Sequence, residues 1–338
     1  MTARVTSQDV ARRAGVSQSA VSRVFTAGRS ASAATAEKVR QAAAELGYRP
    51  NVLGRSLITG QSRVIGLVVA YLDNYFYPEV VEKLSNALQA RGYHVMMFMA
   101  QQTAGNIDDV LDEILDYQVD GIVTASVALS SDLAARCQAA GVPVVLFNRK
   151  QDDPRLSAVS SDNFAGGLRL AEFLVAGGHQ RLAYIAGWEG AATQRDREAG
   201  FLQGLRQAGL TLHARASGDF KYDTAAQGAR DLMHSARPPD AIFVANDHMA
   251  IAVMDVLRSE LGLEVPGDVS VVGFDDVTPA GWPAYALTTV RQDGDAMVAQ
   301  TVDLLLGQIE QADHTPRRVV LDAPLIVRRS ARIPEGWA

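Results

Sequence analysis

From Val64 to Phe274 short apolar runs recur between stretches with helical spacing, and that alternation leaves few folds open. Ile65-Gly66-Leu67-Val68-Val69, Val95-Met96-Met97-Phe98, Gly121-Ile122-Val123 and Val142-Pro143-Val144-Val145-Leu146-Phe147 read as buried parallel strands. Amphipathic segments near 78–91, 107–117 and 131–140 lie between them. The same beat resumes with Arg181-Leu182-Ala183-Tyr184-Ile185-Ala186, Ala241-Ile242-Phe243-Val244 and Val269-Ser270-Val271-Val272-Gly273-Phe274. Repeated strand–helix units predict an α/β fold with two open parallel sheets. Ligands of such sheets sit beyond the carboxyl ends of the strands, here in a cleft between two lobes.

The first sixty residues follow another rule. Thr6-Ser7-Gln8-Asp9 predicts a capped helix, because a Thr hydroxyl three residues ahead of an acid satisfies free backbone donors. Val10, Ala11 and Ala14 give that helix a small apolar face, Gly15 ends it and Val16 anchors the turn. Ser17 caps a second helix from Gln18 to about Phe25, with Val21 and Val24 inward. A third runs from about Ala33 to Leu46 behind Ser32, with Val39, Ala42, Ala43 and Leu46 on one face; Gly47 stops it and Tyr48 folds back on the core. Two short helices around such a turn predict a helix-turn-helix, whose second helix is free to enter a major groove. Val52 to Ile58 predicts one further helix, too short to be stable alone in water.

Charge separates the same two regions. Residues 1–62 carry nine Arg and Lys against three acids, whereas the whole chain has a net charge of −6. A basic head on an acidic body is expected when only the head meets phosphates. With 48% hydrophobic and 21% charged residues the composition is that of an ordinary soluble protein, and no apolar run reaches the ~18 residues of a membrane span. Met1-Thr2-Ala3-Arg4 leads into the first helix with no apolar export core, and the single cysteine, Cys137, suits a reducing compartment. Both point to a cytoplasmic, nucleoid-associated chain with no membrane partner.

The order Asp9-Val10-Ala11, Ala14-Gly15-Val16-Ser17, Val21-Ser22-Arg23-Val24, Glu45-Leu46-Gly47-Tyr48-Arg49-Pro50-Asn51 and Arg55-Ser56-Leu57 resembles the lactose-repressor (LacI/GalR) family of bacterial transcription regulators. The resemblance continues through Ser161-Asp162-Asn163, Arg197-Glu198-Ala199-Gly200-Phe201, Ala245-Asn246-Asp247 and Val272-Gly273-Phe274-Asp275-Asp276 to about Arg332. It implies a helix-turn-helix head over 1–50 and a hinge helix and linker over 51–62. A type I periplasmic-binding-protein-like body for effector binding and dimerisation then spans 63–332, with a tail over 333–338. One lobe comprises 63–162 with about 291–322, the other 163–290 with about 323–332.

By the same resemblance Gln18, Ser19 and Arg23 read base edges of operator DNA, which suits their chemistry: Arg can be bidentate to guanine and Gln can pair with adenine. Arg23 as a phosphate clamp is the alternative. Leu57 matches a minor-groove wedge, with a plain core leucine as the alternative. Thr6, Ser17, Ser22, Asn51, Arg55 and Ser56 complete the predicted DNA-contacting set. Two positions depart from the pattern: Ala20 replaces a Thr, and Gly54 replaces an Ala in the hinge helix, costing about 1 kcal/mol of helix propensity.

A polyhydroxylated effector needs bidentate donors, carboxylate acceptors and an aromatic face. Arg197 matches an effector-clamping position and Phe220 an aromatic platform; Asp275 and Asn246 lie at strand ends. Asn74, Phe76, Ser126, Asn148 and Arg149 stand at the corresponding ends in the first lobe, with Thr193 and Gln292 behind them. Phe76 is equally readable as core, Asp247 as a structural cap, and Asp276 as solvated or a lobe–lobe contact. Arg149 together with Arg197 raises the expectation of an acidic sugar or a sugar phosphate.

The expected partners are double-stranded operator DNA, a sugar, sugar acid or sugar phosphate, and a second copy of the chain, because the tail lacks the leucine heptads of a tetramer. Six scattered histidines show no metal spacing, and no phosphate-binding glycine loop appears. No enzymatic role, cofactor or metal is expected. A sugar-binding transport component that has acquired a head, or an activator needing a protein co-effector, are the alternatives.

Overall fold

The computed structural model describes residues 5–25, 30–49, 61–70, 72–100, 107–125, 127, 130–151, 153–311 and 315–337. The predicted hinge helix, with Asn51, Arg55, Ser56 and Leu57, lies outside them, as does Ser126. The chain divides into two compact units, Met1–Ser62 and Arg63–Ala338.

The first unit contains α1 (Ser7–Ala14), α2 (Gln18–Phe25) and α3 (Ala33–Leu46). Thr6 and Asp9 form a reciprocal capping box, the Thr6 N–H donating to Asp9 Oδ2 at 2.9 Å and the Asp9 N–H to Thr6 Oγ1 at 3.3 Å. Gly15 and Gly47 end α1 and α3 in the left-handed conformation, at φ of 67° and 65°. Val10, Val21 and Val39 meet in a small core with Ala11, Ala42 and Ala43. Tyr48 closes it from below, its ring centroid 5.9 Å from that of Phe25.

The second unit holds two six-stranded sheets. In the first lobe β1 (Val64–Val69), β2 (His94–Met99), β3 (Gly121–Ala125), β4 (Val144–Phe147) and β5 (Ser157–Ser161) alternate with α4 (Phe76–Ala90), α5 (Ile107–Asp116) and α6 (Ser131–Ala139). The second lobe is built from α7 (Asn163–Ala176), β6 (Leu182–Ala186), α8 (Ala192–Gln207), β7 (Ala214–Ser217), α9 (Tyr222–Met233), β8 (Ala241–Val244), α10 (Asp247–Asp255), β9 (Ser270–Asp275) and β10 (Thr288–Arg291). The chain then returns to the first lobe as α11 (Gly294–Glu310) and β11 (Arg318–Leu321), and ends in the second as β12 (Leu325–Ile326). Sheet orders are β11-β5-β4-β3-β1-β2 and β12-β10-β9-β8-β6-β7. The backbone therefore crosses between lobes three times: after Ser161, after Arg291 and after Leu321.

Three expectations require correction. The sheets are not wholly parallel: β12 runs antiparallel to β10. It follows β11 through only a few residues, too few for the crossover that a parallel return needs. Second, β2 is not a buried strand. It forms a sheet edge, and Met97 and Met99 are about half exposed, at 49% and 51%. Third, polar sequence concealed β5, Ser157-Ala158-Val159-Ser160-Ser161, which is buried along its whole length. Its Ser157 hydroxyl accepts from Gln308 Nε2 of α11 at 2.9 Å and from the Arg317 N–H at 3.2 Å. Burial of these hydroxyls is tolerated because they are hydrogen-bonded.

Candidate functional site

The strand ends of the two lobes face one another across a narrow cavity of about 20 Å³. From the first lobe, Asn74 follows β1 and turns the chain into α4, its Oδ1 accepting from the N–H groups of Phe76 and Tyr77 at 3.0 Å each. Asn148 and Arg149 follow β4, and Asn148 donates from Nδ2 to the Tyr77 hydroxyl at 3.3 Å. From the second lobe come Thr193 and Arg197 on α8, Phe220 after β7, Asn246 after β8 and Asp275 at the end of β9. Arg149 Nη1 reaches across to Thr193 Oγ1 at 3.0 Å, a direct bridge between the lobes. Phe76 both lines the cavity and belongs to the core, so the two readings of it hold together.

Arg197 organises the second lobe's wall. Its Nε donates to Asn163 Oδ1 at 2.8 Å, Nη1 to the Ala245 carbonyl at 2.6 Å and Nη2 to Asp275 Oδ1 at 3.3 Å. The guanidinium lies 3.7 Å above the centroid of the Phe274 ring. Asp275 Oδ1 accepts a further hydrogen bond from Gln292 Nε2 at 2.7 Å. Burial pushes the Asp275 carboxyl up to about 6, against the opposing pull of Arg197 and Gln292. Gln292 thus stands behind Asp275 rather than among the cavity-lining side chains. Asn163 opens the first crossing and Gln292 the second, so this ion pair fastens the cavity wall to two of the three interlobe connections.

Asp247 and Asp276 depart from expectation. The cap of α10 is Asn246, whose Oδ1 accepts from the Met249 N–H at 3.1 Å. Asp247 is instead fully buried, bonded to Thr289 Oγ1 at 2.6 Å and accepting from the Val277 N–H at 3.1 Å. Burial first, and the neighbouring Asp275 charge second, push its carboxyl up to about 8. Asp276 is not solvated. It is held by Arg291 and Arg328, both in its own lobe, at 2.6 Å each.

A raised folded-state value means that the native fold holds the Asp247 proton more tightly than the unfolded chain. That stability is complete below the ordinary carboxylate range and is lost as pH rises through about 8. Asn reproduces the shape and donor pattern of the protonated acid. Asp247→Asn should therefore flatten the fall in melting temperature between about pH 4 and 8, at roughly 2–4 °C for each 1 kcal/mol recovered. Parallel wild-type and variant curves in a pH series of thermal melts would show the assignment to be mistaken.

In the head, the outward face of α2 carries the predicted readers. Gln18, Ser19, Ser22 and Arg23 are exposed while Ala20 and Val21 are buried. The Ser17 hydroxyl accepts from the Ala20 N–H at 3.2 Å, capping α2, and Gln18 Nε2 donates to Ser7 Oγ at 3.0 Å. Thr6 is occupied with its capping box. Two residues of the site escaped the sequence reading: Tyr77, which lines the cavity, and Asn163, which holds Arg197 from behind it. Tyr77 was signalled only by its place three residues after the cap Asn74, and Asn163 only by its motif. Among the described residues no group of three or more His, Cys, Asp or Glu is placed to hold a metal ion. Cys137 is buried, and burial raises its thiol above the usual range.

Comparison with known proteins gives these two units their context. Residues 6–51 match the model of bacterial regulatory proteins of the lacI family, and residues 171–331 that of a periplasmic binding protein-like domain. The HTH-type transcriptional regulator CelR of Thermobifida fusca is 35% identical over 337 residues, covering 97% of this chain and 98% of CelR. The ribose operon repressor of Escherichia coli (strain K12) is 31% identical over 331 residues, 96% of this chain and 99% of the repressor. Among solved structures, the Lac repressor dimer bound to operator and the anti-inducer ONPF superposes with a TM-score of 0.87 at 30% identity, covering 97% of this chain and 99% of that one. A CelR–cellobiose complex matches at 0.72 and 33%, covering 97% and 100%. Extending from the capped head to the last strand, these likenesses establish that the chain belongs to the LacI family of bacterial regulatory proteins.

Proposed function

We propose that the chain is a transcriptional repressor that binds a near-palindromic operator as a homodimer and is controlled by a sugar-like effector in the interlobe cleft. The observation that carries this reading is the division of α2 into a buried Ala20–Val21 side and an exposed side bearing Gln18, Ser19, Ser22 and Arg23. Relatives named as transcriptional repressors, and the Lac repressor dimer solved on its operator, support it. The half-exposed Met97 and Met99 on the open edge of β2 suit a surface that a second copy covers. The family consists of transcriptional regulators, and no catalytic role is assigned. Among the described residues no helix is long and apolar enough to cross a membrane. Acting on DNA places the protein at the nucleoid.

Ligand in the cleft changes lobe orientation, and a coupling of about 1–3 kcal/mol gives roughly 5–150-fold change in operator affinity. The test is selection from a random duplex library followed by binding at several salt concentrations. Enrichment of a two-half-site palindrome is expected, with log affinity falling linearly in log salt. Arg23→Ala should cost about 1–3 kcal/mol at one base position and relax preference there. Arg55→Ala should weaken all sequences alike and lower the salt slope by about 1. Equal loss of preference in both variants, or no palindrome, would refute the proposal.

A further inference from the structure

We infer that His248 is a proton-sensitive clasp between the lobes: they close on its neutral imidazole, and protonation favours the open cleft and thereby alters operator affinity. This rests on the chain acting as a DNA-binding regulator controlled through its cleft. Tyr75, immediately before α4, moves with the first lobe, whereas Tyr222 at the start of α9 and His248 on α10 belong to the second. The His248 ring meets both tyrosines edge to face, with centroids 5.8 Å from Tyr75 and 6.1 Å from Tyr222. The residue is 8% exposed, and its Nδ1 is buried with no hydrogen-bond partner among the described residues.

A neutral imidazole tolerates such a nitrogen better than a charged one, because an imidazolium has two N–H donors and both need acceptors. Burial accordingly pulls the His248 imidazole below its ordinary value, against the upward pull of Asp73 from the first lobe. Most other charged groups on the adjoining elements have partners of their own. Asp255 accepts from the Tyr222 hydroxyl at 2.8 Å and the Tyr285 hydroxyl at 3.5 Å, and Lys221 pairs with Asp219 at 2.8 Å. Asp247 is bonded to Thr289, Glu79 on α4 pairs with Lys83 at 2.9 Å, and Asp223 on α9 is exposed. Parting the lobes withdraws Tyr75 and lets water reach the ring, so the open body takes up a proton at higher pH than the closed one. Closure is therefore fully favoured above the ordinary histidine value of ~6.5 and weakens as pH falls below it, about tenfold for each unit by which the two states differ. Residues 1–62 contain no histidine, so the head has no side chain that ordinarily titrates in this range.

The experiment is an NMR titration of the full chain carrying isotope-labelled histidine, with the His248 signal identified by its loss in His248→Gln. Its pKa should lie about one unit or more below ~6.5, and Tyr75→Ala, which removes only the first lobe's flank, should raise it by at least about half a unit. An ordinary value in the wild type, or no change in Tyr75→Ala, overturns the inference. Affinity for the selected palindrome, measured on the same preparations, should change about threefold or more between roughly pH 7.5 and 5.5 in the wild type and stay nearly flat in His248→Gln. Identical pH profiles for the two overturn the inference as well. If no duplex is bound at any pH the regulator reading falls, while the titration still decides whether His248 clasps the lobes.

Discussion

Arg197→Ala is expected to destabilise the body by about 3–5 kcal/mol, lowering its melting temperature by on the order of 10 °C, and to abolish the effector's influence on DNA binding. The residue is 2% exposed and its side chain has three hydrogen-bond partners. Truncation leaves the Asp275 carboxylate buried without its cation and the Ala245 carbonyl without this donor. Removing one partner of a buried pair is costly for that reason, whatever the net worth of the intact pair. Loss of coupling follows from position: Arg197 ties the cavity to Asn163 at the first interlobe crossing, and through Asp275 to Gln292 at the second. Arg195→Ala is the control. Arg195 is exposed on the same helix and gives one hydrogen bond to the Glu189 carbonyl, so a change within about 0.5 kcal/mol is expected. If thermal melts and operator titrations cannot distinguish the two variants, the buried network is not what holds the wall.

Gly200→Ala should cost about 3 kcal/mol, for a different reason. Helices α7 and α8 touch backbone to backbone, and a Cβ at Gly200 would stand 2.0 Å from the Phe164 carbonyl oxygen and 2.9 Å from the Leu168 nitrogen. Neither obstacle is the flexible end of a side chain, so the helices themselves must part. Gly167, on the facing helix, makes the reciprocal approach, its Cβ position lying 2.1 Å from the Arg197 carbonyl oxygen. The same contact therefore sets where Arg197 begins, and Gly200→Ala should weaken effector binding together with stability. Gly307→Ala, on a helix where a Cβ meets nothing within 4 Å, should be neutral or up to about 1 kcal/mol stabilising. Equal melting temperatures for the two variants would show that the helices tolerate a wider spacing.

Much of this arrangement is legible in the sequence. The capping box at Thr6 and Asp9 and the stops at Gly15 and Gly47 are local chemistry, satisfied within a few residues. The apolar runs that became β1, β4, β6, β8 and β9 declare themselves because strands covered on both faces have no polar positions to interrupt them. Asn74, Asn148, Arg149, Arg197, Phe220, Asn246 and Asp275 gather around one cavity because strand ends of two parallel sheets must face the cleft.

What failed to show in the sequence depends on neighbours distant along the chain. Strand β5 reads as a polar loop until Gln308 and the backbone of Arg317, some 150 residues away, satisfy Ser157. Whether β2 is central or an edge depends on sheet order alone, and its Val-Met-Met-Phe run serves either place equally well.

By itself the sequence determined the class of fold, the head's three helices and which polar residues end strands, because each follows from periodicity and short-range hydrogen bonding. Only the tertiary structure decided charge states and commitments: that Asp247 is a buried acid rather than a cap, that Asp276 belongs to Arg291 and Arg328, and that Arg197 is already engaged by Asp275. Those outcomes depend on dielectric environment and on partners brought together by three chain crossings, and neither is a property of any local stretch of residues.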